Sequence, residues 1–78
     1  ENNIKIYPNP VEDGNLNINL GFFKETKSVI QIFDIAGNLI YTIQSNDSID
    51  VDFSSFPKGV YILKIIKGES IFNYKVIK

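Results

Sequence analysis

A chain with no histidine and no cysteine lacks the imidazole base, the thiol nucleophile and the usual zinc ligands. Paired carboxylates are the route to catalysis that remains. Asp47, Asp50 and Asp52 fall close together, and on an extended strand Asp50 and Asp52 share a face with Cα atoms about 6.5 to 7 Å apart. Their alternation with Ile49, Val51 and Phe53 has a simpler account, a solvated strand face. Asn9, Glu12 and Asp13 make a second oxygen-rich set. Either set invites a calcium reading, yet neither has the EF-hand spacing of acids about a central glycine that ends in glutamate. The residues therefore point away from an enzyme, and they imply no cofactor.

Aromatic side chains raise a different chemistry, the stacking of sugar rings on exposed faces. Phe22, Phe23, Phe33, Tyr41 and Tyr61 are the candidates, and most of them fall at core parity on strands. Phe22 and Phe23 are the exception: in GFFKETK, two adjacent rings cannot both point inward, which leaves one for a small exposed patch or for a loop folded over the end of the domain. In YPNPVEDG, Tyr7 to Gly14, two prolines flank an asparagine and remove two amide donors. They also bias Tyr7 and Asn9 toward extended conformations, so a strand that begins at Ile4 must leave its ladder here.

The elements that carry these residues follow one period, and it is two. Ile4 and Ile6 alternate with Lys5, Leu16, Ile18 and Leu20 with asparagines, and Ile49, Val51 and Phe53 with aspartates. Ser28 to Ile35 and Leu39 to Gln44 are β-branched and aromatic on both faces, which predicts central or covered strands. Gly59 to Lys67 places Tyr61, Leu63 and Ile65 inward with Lys64 outward, and Ser70 to Ile77 places Phe72, Tyr74 and Val76 inward with Asn73 and Lys75 outward. DIAGN supplies the aspartate and glycine of a type I turn that closes with a left-handed residue, while FPKG and KGES read as further turns. Seven short strands with turn signals every ~8 to 12 residues predict a single all-β domain over residues 1–78, a seven-stranded antiparallel immunoglobulin-like β-sandwich; a small barrel is the alternative.

Composition bounds the partners. A chain of 78 residues buries only about 60% of its unfolded surface, so its core must be used efficiently. Eight lysines, no arginine and a net charge of -1 argue against nucleic acid, whose phosphates and guanines favour the guanidinium fork. No apolar run approaches the roughly 20 residues that span a bilayer, which argues against membrane insertion, and ENNIKIY lacks the regions of a signal peptide. The chain starts without methionine, so if it is exported its export signal lies on a longer precursor from which this segment was cut. Its stop inside a strand pattern, YKVIK, is either an accident of where the segment was cut or the very feature a partner reads. An uncovered edge strand would let such a domain pair with itself, and the sequence sets no oligomeric state.

As a set, YPNP followed by DGNLNI, then VIQIFDIAGNLI, then IDVDFSSFPKGVYILKI and a closing basic strand resembles the type A C-terminal sorting domain of type IX secretion cargo, over Ile6 to Lys78. Phe56 stands where that pattern usually has leucine, and Asn38 where a basic residue is common. The resemblance implies a non-catalytic secretion signal joined to an N-terminal cargo domain. It further implies export through the periplasm of a Gram-negative bacterium to the cell surface or medium, by way of the type IX translocon, outer-membrane shuttle and sortase proteins. Sortase removal and surface attachment would usually follow. The motif residues are Pro8, Asn9 and Pro10, Asp34 and Gly37, Gly59 and Tyr61, and Lys75 with Lys78. Asp34, Gly37, Gly59 and Tyr61 are expected to be structural, the glycines as turn residues. Translocon recognition is expected of Tyr74, Lys75, Val76, Ile77 and Lys78 with Pro8, Asn9 and Pro10, the last strand docking by its edge or in a groove while the lysines, which have no other role than solubility, supply charge complementarity. The competing readings are an immunoglobulin-like adhesive or carbohydrate-binding module, which needs a surface aromatic platform, and a spacer domain.

Overall fold

The computed structural model describes residues 4–12, 14–21 and 27–78. Every regular element among them is a strand: β1 (Lys5–Tyr7), β2 (Asn15–Asn19), β3 (Ser28–Asp34), β4 (Leu39–Ser45), β5 (Ile49–Asp52), β6 (Val60–Lys67) and β7 (Ser70–Ile77). They form two antiparallel sheets, a three-stranded one in the order β1-β2-β5 and a four-stranded one in the order β4-β3-β6-β7. The sheets have open edges, unlike the small closed barrel that the strand pattern also allowed. Phe22, Phe23 and Asp13 lie outside the described residues.

Period-two patterning decides what faces the core. Leu16 and Ile18 of β2 and Val51 of β5 line one inner face; Ile30 and Ile32 of β3, Tyr61, Leu63 and Ile65 of β6, and Val76 of β7 line the other. Register brings like to like, with Ile30 opposite Ile65 and Ile32 opposite Leu63. Each such aliphatic side chain contributes about 1.5 to 3 kcal/mol by leaving water. Phe72 and Tyr74 pack against this cluster from β7, as their parity predicts.

Three expectations are corrected. β4 is an edge strand and largely exposed, not central: its apolar content serves partly on the inner side, where Tyr41 opposes Ile32 and Ile43 opposes Ile30, and partly on an outer face. A register shift beside Ile32 and Phe33 pairs Phe33 with Leu39 and leaves Ile40 as the extra residue of a bulge. Phe33, the residue after the inward-facing Ile32 on β3, points outward, opposite Ile62, instead of into the core. Gly59 is not the closing residue of a hydrogen-bonded FPKG turn; that turn runs from Phe53 to Phe56, with 3.0 Å between Phe56 N and Phe53 O. Gly59 instead donates to Lys78 O at 3.1 Å and accepts from Lys78 N at 2.9 Å. The two hairpin signals hold: Gly37 sits at φ 92° and donates to Asp34 O, and Gly68 with Glu69 forms the two-residue link between β6 and β7.

The outer faces differ in chemistry. On the three-stranded sheet, Asn15, Asn17 and Asn19 alternate outward and Asp52 and Asp50 stand opposite the first two, with Lys5 opposite the third. On the four-stranded sheet the outward positions of β6 and β7 include Ile62, Lys64, Ile66, Ile71, Lys75 and Ile77.

Candidate functional site

The residues marked out by the sequence gather around the C-terminal end of β7. That strand presents Val76 to the core and half-buries Tyr74, whose phenol burial pushes above its ordinary pKa. Lys75 and Ile77 face outward and are exposed. As an edge strand, β7 has a row of backbone groups that β6 does not meet.

Asn9 meets part of that row. Its Nδ2 donates to Lys75 O at 2.9 Å, and its Oδ1 accepts from Ile77 N at 3.0 Å, so one side-chain amide reproduces the donor and acceptor of a neighbouring strand residue. Val11 continues the pairing through its own N–H, 2.7 Å from Ile77 O, and its side chain is buried in the core. The peptide bonds preceding Pro8 and Pro10 are both cis, and the prolines flank Asn9 on the surface. The tripeptide Pro8-Asn9-Pro10 is thus a clasp on the last strand, which closes the edge of β7 from Lys75 to Ile77 to further pairing.

Lys78 has a structural role beyond solubility, against expectation. Its Nζ donates to Phe53 O and Phe56 O, each at 2.6 Å, and lies 3.4 Å from Ser54 O. A cation thereby gathers carbonyls of the turn that leads from β5 to β6. The same turn is held from its start by Asp52, whose carboxylate accepts from Ser54 N at 2.9 Å. Hydrogen bonds from the Ser54 hydroxyl and amide, and then the charge of Lys78, hold Asp52 below the ordinary carboxylate pKa.

Above this turn stands an aromatic cluster. Phe53 meets Phe56 edge-on at 4.8 Å and Tyr61 at 5.6 Å, and the Tyr61 hydroxyl donates to Pro57 O four residues upstream. Tyr61 pairs in register with Asp34. The Asp34 carboxylate organises its own turn, accepting from Asn38 N at 2.9 Å, Asn38 Nδ2 at 3.1 Å and Ala36 N at 3.0 Å. These bonds, those from Asn38 foremost, keep Asp34 below the ordinary carboxylate pKa.

A cleft of about 270 Å³ opens where these pieces meet, bounded by Ile35, Ile40, Pro57, Lys58 and Val60 with Asp34, Gly59, Phe56 and Tyr61 behind them. Three of the four motif residues expected to be structural, Asp34, Gly59 and Tyr61, line this one cleft, and Gly37 lies in the adjoining turn. Of the residues expected to be read by a partner, Asn9, Val76 and Lys78 have structural duties, whereas Lys75, Ile77, Pro8 and Pro10 are exposed.

Of the acids considered for catalysis or calcium, Asp47, Asp50 and Asp52 have local duties. Asp50 Oδ1 accepts from Asn17 Nδ2 at 2.7 Å, Asp52 caps a turn, and Asp47 accepts from Ser48 N at 3.0 Å. Among the described residues no three carboxylates come together as a metal site. Tyr61 is only 4% exposed and Phe33 lies beneath Lys64, whose Nζ is 5.5 Å from the ring centroid, so neither ring offers a bare stacking face. Sequence reasoning missed the Asn9 clasp, the Lys78 anchor and the Tyr61 hydroxyl. A tyrosine four residues after a proline at a strand start is the signal by which the last of these was legible.

Two comparisons bear on this arrangement. The family model described as a secretion system C-terminal sorting domain matches residues 5–78. The chain is also similar to the ulvan lyase NLR42 of Nonlabens ulvanivorans, 32% identical over 77 residues that cover 95% of this chain and 14% of that protein. The chain thus spans about a seventh of the length of that relative.

Proposed function

The chain belongs to the family of secretion system C-terminal sorting domains, and from that membership we propose how it serves its cargo. Domains of this family are non-catalytic secretion signals of the type IX system, and the proteins that carry them are exported to the cell surface or the medium. We take residues 1–78 as a single sorting domain, the tail of a larger precursor with its cargo N-terminal to it. The exporting cell is Gram-negative, and the domain meets in turn the type IX translocon, an outer-membrane shuttle protein and a sortase that removes it as the cargo is attached to the surface.

The fold we assign is the immunoglobulin-like sandwich. Its support is the division of strands into β1-β2-β5 and β4-β3-β6-β7, together with a tyrosine at the start of the sixth strand whose hydroxyl bonds back to the chain just upstream. Such a frame holds the C-terminal end of the last strand twice, with Asn9 on its edge and Lys78 in the β5-β6 turn. Recognition then falls to what that strand leaves exposed, Lys75 and Ile77, and to the neighbouring Pro8 and Pro10; Tyr74, Val76, Asn9 and Lys78 act by holding the strand in place.

The observation that carries this reading is the family match over residues 5–78. Its test is a fluorescent reporter, exported to the periplasm of a type IX-competent host and fused ahead of the domain. The fusion is expected at the surface or in the medium, and the reporter without the domain in the periplasm. Periplasmic retention of the intact fusion would refute the reading.

A further inference from the structure

The cleft beside Asp34 is one end of a larger apolar surface. Val60, which lines it, is the register partner of Ile77, and Ile40, on its other side, follows Leu39, the register partner of Phe33. The cleft therefore runs on into the outer face of the four-stranded sheet. Its aliphatic residues are unusually open to water: Ile35 is 75% exposed, Leu39 48%, Ile77 39% and Ile40 36%. Contiguous apolar exposure of this kind on a small domain marks a surface that something else covers.

Charge tells what covers it. Lys58 stands on the wall of the cleft, Lys75 opposes Ile62 on the outer face, and Lys64 leans over Phe33. Among the described residues none of these three lysines meets a carboxylate. The acid of the cleft, Asp34, has its carboxylate turned to three donors of its own turn. The opposite face of the molecule carries asparagines and the aspartates 50 and 52, the reverse character. A glycan would require an open ring, and the two rings of the cleft, Phe56 and Tyr61, pack against Phe53.

We propose that this lysine-rimmed cleft and strip is a docking surface for a protein partner whose contact segment presents aliphatic side chains flanked by aspartate or glutamate. The proposal rests on the sorting-signal reading and identifies the surface through which the secretion machinery holds the domain. Aliphatic side chains of the partner fill the cleft between Ile35, Ile40 and Val60, and its carboxylates reach Lys58 and Lys75 at the rim. The lysines select the partner and speed encounter, while the apolar contact sets how long it stays.

The reporter fusion tests this without any purified partner. Ile35→Asp alters a side chain that is three-quarters exposed, so the fold should keep its circular dichroism spectrum and melting temperature. Export is expected to fall by about tenfold or more, as for the loss of a central contact residue. The paired change Lys58→Glu with Lys75→Glu is expected to do the same, and Lys58→Arg with Lys75→Arg to restore export to within about twofold, because the charge is kept. Asn15→Lys with Lys5→Glu, on the opposite face, should leave export unchanged. If folded Ile35→Asp and the double glutamate variant are exported as well as the unaltered fusion, the docking surface is wrong and the sorting-signal reading stands. If the unaltered fusion itself stays in the periplasm, both fall. A concentration-dependent dimer in sedimentation that Ile35→Asp abolishes without changing export would give the surface to a second copy of the chain and overturn the proposal.

Discussion

At the scale of single residues, the side chain of Asn9 does the work of a backbone unit. An amide carries a donor and an acceptor at nearly the spacing of an N–H and a C=O, so it can complete a strand edge where prolines on either side supply no N–H. Replacing Asn9 with Ala removes both bonds and uncovers Lys75 O and Ile77 N. The expected loss is about 1 to 2 kcal/mol, at the exposed end of what two neutral hydrogen bonds contribute. Chemical denaturation of the purified domain checks it, and a change under about 0.3 kcal/mol would mean that water serves the edge equally well. None of this was legible in the sequence. The motif around Asn9 stood out, but its partner lies 66 to 68 positions away, and no period or propensity links positions so far apart. Lys78 escaped for the same reason, its carbonyl partners being 22 to 25 positions upstream. Asp34, by contrast, bonds within four residues, and local turn chemistry was enough to assign it.

At the scale of elements, alternation predicted the strands and their inward faces well, because a half-buried strand writes its geometry into every second residue. It failed at β4, where apolar residues on both faces were taken for burial. An edge strand whose outer face belongs to an interaction surface has the same composition as a central strand, and sequence cannot separate the two. Glycines were judged by their neighbours, and the structure separates them too. Gly37 lies at φ 92°, so Gly37→Ala is expected to cost about 1 to 2 kcal/mol although an added Cβ would meet nothing within 4 Å. Gly59 has no such backbone demand and equally open space. Gly59→Ala should therefore be neutral or stabilise by up to about 1 kcal/mol through the unfolded chain. Thermal melts of the two variants side by side test the distinction, and a Gly59→Ala variant as damaged as Gly37→Ala would show that the strand start needs glycine after all.

At the scale of the whole molecule, the domain is closed by what comes last in the described chain. Lys78 pins the β5-β6 turn, its backbone pairs with Gly59, Ile77 takes the clasp, and Val76 is fully buried in the core. Removing residues 75–78 strips all of these at once from a domain whose total stability is about 4 to 12 kcal/mol by the norm for its length. Such a truncation is expected to unfold, with loss of the β spectrum and of the melting transition. A folded truncation would show that the two sheets hold without their fastening. Failure of a truncated domain to be exported therefore reports on folding as well as recognition, and only exposed side chains such as Lys75 and Ile35 can separate the two.

The clasp also gives the domain an order of assembly. During synthesis β7 leaves the ribosome after every other described strand, and both of its fastenings reach back to segments that have been waiting, Asn9 and the turn at Phe53 to Phe56. Until Lys75, Ile77 and Lys78 arrive, Asn9 and the turn at Phe53 to Phe56 have no partner to close on, and the edge of the sheet stays unsealed.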